Sequence, residues 1–135
     1  MKKSIFISGA PHPVASYSPA ILADDTLYIS GQIGIDPYTG KFVEEGPVAQ
    51  VKQIMENIRA ILKEVNMDFP HIVKVSVYLS DMNLYNDFNK IYAAYFEHDP
   101  PAREAAAVAG LPKNADVEIS CIAVRSPEKE VLSMH

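Results

Sequence analysis

The chain has 135 residues, 48% hydrophobic and 21% charged, the balance of one ordinary globular domain spanning 1–135. Its net charge is −5 and no Lys/Arg run exceeds Lys2-Lys3, so the basic patch expected of a nucleic-acid binder is missing. A lone cysteine, Cys121, excludes an internal disulfide and points to a reducing cytoplasm, and no apolar run approaches the roughly 18 residues of a membrane span.

In chain order, Ile5-Phe6-Ile7 stops at Ser-Gly-Ala-Pro, too short for the apolar region of a signal peptide. Ala20–Ala23 and Thr26–Ser30 flank Asp24-Asp25 and predict a hairpin. SGQIG (30–34) lacks the spacing of a nucleotide-binding glycine motif and reads as a strand end with a bulge or tight bend. A further short strand is expected before the first helix. Pro47–Val65 carries Val48, Val51, Ile54, Met55, Ile58, Ile61, Leu62 and Val65 at helical spacing, which predicts one apolar face. In His71–Ser80 the alternation of Val73, Val75, Val77 and Leu79 predicts a strand. A second helix is expected over about Leu84–Glu97, with Leu84, Phe88, Ile91, Tyr92, Tyr95 and Phe96 inward and Asp81 or Asn83 as cap. Arg103–Ala109 and Asp116–Arg125 complete the pattern as strands around a turn at 111–114. The order predicts an α+β fold, a mixed β-sheet with two helices packed on one face. Val117, Ile119, Cys121 and Ala123 oppose Ile122 and Val124, so the last strand is apolar on both sides. Since two helices cover one face only, a second copy of the chain is expected on the other.

Candidate chemistry is sparse. His12, His71, His98 and His135 share no ligand spacing, so no metal is expected, and Cys121 among apolar residues reads as a structural thiol. Arg103 opens an apolar strand after Pro100-Pro101 in HDPPAREAAAV. It is either an ion-pair partner of Glu104, Glu97 or Asp99, or a rigid planar fork for a small carboxylate. Glu118 shares a strand face with Ser120, Ile122 and Val124. It is either solvated or ion-paired, or a carboxylate placed for proton transfer. Tyr17, alone, reads as a packing aromatic.

Taken together, YSPAI (17–21), LYISGQIGIDPYTGK (27–41), QVKQIMENIRAIL (50–62), IVKVSVYLSDM (72–82), NDFNKIYAAYF (86–96), PPAR (100–103) and LPKNADVEISCIAV (111–124) resemble the RidA/YjgF family of reactive-intermediate deaminases over nearly the whole chain. The resemblance implies a chorismate-mutase-like fold and a homotrimer with clefts between neighbouring subunits. It also implies hydrolysis of 2-imino acids, derived from enamines, to 2-keto acids and ammonia without a cofactor. Arg103 then matches the arginine that grips the substrate carboxylate, and Glu118 the glutamate that orients the attacking water. Tyr17, Ser30, Gly31 and Asn89 match residues lining the same cleft. Where many relatives have Ser-Cys or Thr-Cys after the arginine, this chain has Glu104-Ala105, so a contact at Ala105 would be main-chain only. The alternatives are a non-catalytic small-carboxylate-binding trimer and an endoribonuclease or translation inhibitor. Acidic net charge and the lack of a paired-histidine arrangement count against the latter.

Overall fold

The predicted apolar periodicity forms a helix, α1 (Pro47–Glu64), in the computed structural model, which describes residues 1–125. Val51, Ile54, Met55, Ile58, Ile61 and Leu62 are all essentially inaccessible on its inner face. Each such side chain contributes about 1.5–3 kcal/mol relative to exposure, so the helix is held mainly by this stripe. Val48 lies outside it, 41% exposed, whereas the polar Gln50 and Asn57 are buried. Neither is orphaned. Gln50 exchanges hydrogen bonds with the main-chain N–H and the carboxylate of Asp116, and Asn57 donates to the Ile35 carbonyl at 2.9 Å.

The strands are β1 (Lys2–Ile5), β2 (Ala20–Ala23), β3 (Thr26–Gln32), β4 (Ile72–Leu79), β5 (Ala102–Ala107) and β6 (Val117–Val124), in sheet order β1-β2-β3-β6-β4-β5. All neighbouring pairs are antiparallel except β4 with β5, which run parallel around the second helix, α2 (Tyr85–Ala93). The fold is thus α+β with a mixed sheet, as expected. Asp24, at φ 53°, makes the predicted two-residue turn between β2 and β3. On β6, Val117, Ile119, Cys121 and Ala123 are buried against the helix layer, while Glu118, Ser120, Ile122 and Val124 alternate onto the uncovered face.

Some expectations need correction. The N-terminal strand β1 is real, although KKSI gives no alternation signal and buries only Ile5. The short strand expected before α1 is absent, and only a single bridge, Ile35 to Phe42, forms there. An irregularity in β4 between Ile72 and Lys74 turns Ile72 inward and leaves Val73 48% exposed, contrary to simple alternation. Helix α2 ends at Ala93, short of Glu97; Tyr95 and Phe96 still pack on the core, through rings 5.1 and 5.7 Å from that of Phe69. Asp81 does cap, but its side chain receives the Asn83 N–H of a 3-10 turn (Met82–Leu84) rather than the first turn of α2.

Candidate active site

Arg103 sits on the edge strand β5, in register with the buried Val75 of β4, so its side chain rises on the helix side of the sheet. There α2 receives it. Arg103 Nη1 donates to Asn89 Oδ1 at 2.8 Å and Nη2 to the Tyr85 hydroxyl at 2.7 Å. Residues 85 and 89 are one helical turn apart, which places both oxygens on one strip of α2. The guanidinium also lies 4.9 Å from the ring centroid of Tyr92, 5.5 Å from Phe88 and 5.6 Å from Tyr85. Among the described residues no carboxylate pairs with it. Glu104 points the other way, to Lys74 Nζ at 3.1 Å and the Ser76 hydroxyl at 3.3 Å.

The surroundings leave electrostatic signatures. Hydrogen bonding with Asn89, and after it the positive charge of Arg103, hold the Tyr85 hydroxyl below the ordinary phenol range. Burial pushes Tyr92 up to about 12, with Arg103 pulling against it, and the buried Tyr92 hydroxyl has no hydrogen-bond partner among the described residues. Burial likewise raises the Cys121 thiol to about 12, which keeps it protonated and poorly nucleophilic at neutral pH.

Glu118 belongs to a different neighbourhood. It stands opposite Tyr78 of β4, on the face away from the helices, and its carboxyl leans on Gly31. A β-carbon at Gly31 would come within 2.8 Å of the Glu118 carboxyl, so only glycine leaves that carboxylate where it is. The predicted bulge explains the approach, because the β3–β6 register shifts between Ile29 and Gln32. SGQIG is therefore a strand end with a bulge, followed by a bend at Gly34. Gln50 reinforces the arrangement by fastening Asp116, two residues ahead of Glu118. Glu118 itself makes no hydrogen bond or ion pair with any described residue. Ser30 Oγ donates to the Ser18 carbonyl at 2.7 Å, so its role is to fasten the loop ahead of β2. Tyr17, 59% exposed, and Gly31 line a cavity of about 450 Å³ between the N-terminal segment, β3 and α1.

The residues singled out from sequence thus fall into two groups. Arg103, Asn89 and Ala105 gather on the helix side of β5, with Ala105 packed against the core. Tyr17, Ser30, Gly31 and Glu118 gather around the end of β3, with Glu118 on the uncovered face. Within one chain β4 separates β5 from β6, and Arg103 and Glu118 project from opposite faces. Tyr85, Phe88 and Tyr92 are neighbours of Arg103 that the sequence does not assign to the site, although Phe88 and Tyr92 read as inward residues of the helix. The Tyr85/Asn89 spacing is the available signal, but nothing in the sequence says which strand α2 meets. A larger groove of about 740 Å³ beside Phe69, Tyr95 and Pro100 contains neither Arg103 nor Glu118. Among the described residues no three His, Cys, Asp or Glu side chains cluster as a metal site; His135 lies outside them. No described helix is long and apolar enough to cross a membrane.

The family model described as endoribonuclease L-PSP matches residues 7–125. A rat protein named 2-iminobutanoate/2-iminopropanoate deaminase is 44% identical, covering 94% of this chain and 93% of its own. The human protein of the same name is 42% identical with the same coverage. Among solved structures, E. coli TdcF with bound serine superposes with a TM-score of 0.85 at 31% identity, covering 92% of this chain and 99% of that one. RidA of an Antarctic Psychrobacter gives 0.85 at 38% identity, covering 91% and 99%.

Proposed function

The chain belongs to the endoribonuclease L-PSP family, also called RidA/YjgF, and from that premise we propose that it hydrolyses 2-iminobutanoate and 2-iminopropanoate to 2-keto acids and ammonia. The observation that carries this reading is the state of Arg103. Its guanidinium is oriented from two sides and stacked among rings, yet among the described residues only neutral groups hold it. A structural ion pair would set a carboxylate against it; here the charge is left for an incoming anion. The serine in the TdcF structure is a small carboxylate of the same class.

Water adds to the iminium carbon, the C–N bond breaks, and the amine leaves as ammonia, which takes up the hydroxyl proton as the carbonyl forms. The carbon is electrophilic without help, so the protein fixes the carboxylate at Arg103 and positions one water at Glu118. Glu118 accepts a proton from that water and returns it to the departing amine. Tyr17, Ser30 and Gly31 shape the wall beside Glu118, Asn89 steadies Arg103, and the main chain of Ala105 offers a further contact.

Because Arg103 and Glu118 leave opposite faces of one sheet, a working site takes Arg103 from one copy and Glu118 from its neighbour. The uncovered face supports such an assembly, presenting Tyr28, Tyr78, Ile122 and Val124. The assembly is a cytoplasmic homotrimer with three such clefts. Light scattering that finds a stable monomer at micromolar concentration would overturn it. Keto-acid release from freshly generated 2-iminopropanoate, with Arg103→Ala alongside, tests the reaction. The family description also names an endoribonuclease. RNA cleavage that survives Glu118→Gln and Arg103→Ala would place that activity elsewhere on the molecule.

A further inference from the structure

We propose that Tyr85 is a positioning residue for the substrate carboxylate, acting through Arg103; the inference rests on the reading of Arg103 given above. A guanidinium presents five N–H donors in one plane. Tyr85 and Asn89 each take one donor, on different terminal nitrogens, at 2.7 and 2.8 Å. Two anchors at different nitrogens stop the plane from swinging, and among the described residues nothing accepts from the remaining N–H groups, which are left for an anion. The rings of Tyr92 and Phe88, 4.9 and 5.5 Å from the guanidinium carbon, restrain it in the perpendicular direction.

The chemistry of the anchor matters as much as its place. A carboxylate at either position would hold the arginine as firmly but would compete with the substrate for its charge. A phenol hydroxyl accepts the hydrogen bond and leaves the cation uncompensated. It shares the guanidinium with Asn89, one helical turn away on α2, so the two anchors hold it from one strip of the helix. Phenylalanine at this position would keep the ring and lose the anchor. Tyr85 therefore sharpens carboxylate binding without touching the reacting carbon, and its effect falls on affinity rather than on turnover.

The test is Tyr85→Phe with Arg103→Ala beside it. Calorimetry with pyruvate and 2-oxobutanoate reads affinity, and ammonia release from 2-iminopropanoate reads KM and kcat. For Tyr85→Phe, Kd and KM rise about three- to tenfold, the span of one ordinary hydrogen bond, while kcat stays within about twofold and the melting temperature is unchanged. If Tyr85→Phe binds both keto acids like the wild type while Arg103→Ala does not, the role of Tyr85 is overturned and that of Arg103 stands. If Arg103→Ala binds them unchanged, both fall together. A lower kcat at constant KM, or a loss of activity that tracks a lower melting temperature, also overturns the inference. The hydroxyl would then act in the chemistry or in folding.

Discussion

Arg103 is enclosed by three rings and two hydrogen-bond acceptors, whereas Glu118 leans on the bare Cα of Gly31 and has no polar partner among the described residues. Both are charged residues on neighbouring parts of one sheet, and they are treated in opposite ways. A group that recognises a rigid anion gains from being aimed in advance. A group that handles a water and its protons needs its lone pairs unoccupied, and each protein donor on the carboxylate would remove one. The difference shows how the fold assigns binding to one neighbourhood and proton transfer to the other.

The contrast breaks most severely at Glu118. Glu118→Gln preserves the shape beside Gly31 but removes the base, so turnover falls on the order of a hundredfold or more while keto-acid affinity is retained. Single-turnover ammonia release and calorimetry on the same folded protein check both halves of that statement. Wild-type turnover would leave only a binding protein. Next comes Arg103→Ala, which loses about 1.5–3 kcal/mol of keto-acid affinity; Arg103→Lys keeps the charge without the fork and falls between it and the wild type. Asn89→Asp sharpens the comparison from the other side. It puts a carboxylate where a neutral amide now holds Nη1, and keto-acid affinity drops about tenfold with the fold intact, since substrate and side chain then compete for one cation. Melting and binding measured together separate this effect from misfolding.

The smallest effect at neutral pH concerns the buried groups beneath Arg103. Cys121 rises from 9.0 and Tyr92 from 10.0, both to about 12. The folded chain therefore holds these protons more tightly than the unfolded chain does. Their contribution to stability is complete below pH 9 and is lost progressively as pH rises towards about 12. Thermal melts across that range show the decline, and Cys121→Ala makes it shallower while leaving neutral-pH imine hydrolysis unchanged.

Much of this frame is legible in the amino-acid order alone. The stripe from Val51 to Leu62 reads correctly because a helix repeats its burial every turn, and the parity of Glu118 reads correctly because β6 is regular along its length. β1 is invisible to such patterns because KKSI buries one side chain and pairs at an edge through its main chain. Val73 misleads because one irregular step in β4 reverses the parity upstream of it. For the site, residue types are readable and their company is not. The contacts of Arg103 depend on which face α2 covers and where along α2 the edge strand passes, and no local pattern encodes either.

The position of β6 also governs how the chain comes together as it is made. The last described strand in sequence lies inside the sheet, between β3 and β4. Until residues 117–124 leave the ribosome, the β1-β2-β3 meander and the β4-α2-β5 crossover have no strand between them to pair with. The first piece carries Gly31, the second carries Arg103, and the strand that joins them carries Glu118. The sheet therefore closes only once β6 has emerged, and a chain truncated ahead of Val117 has two exposed strand edges and no means of joining its halves.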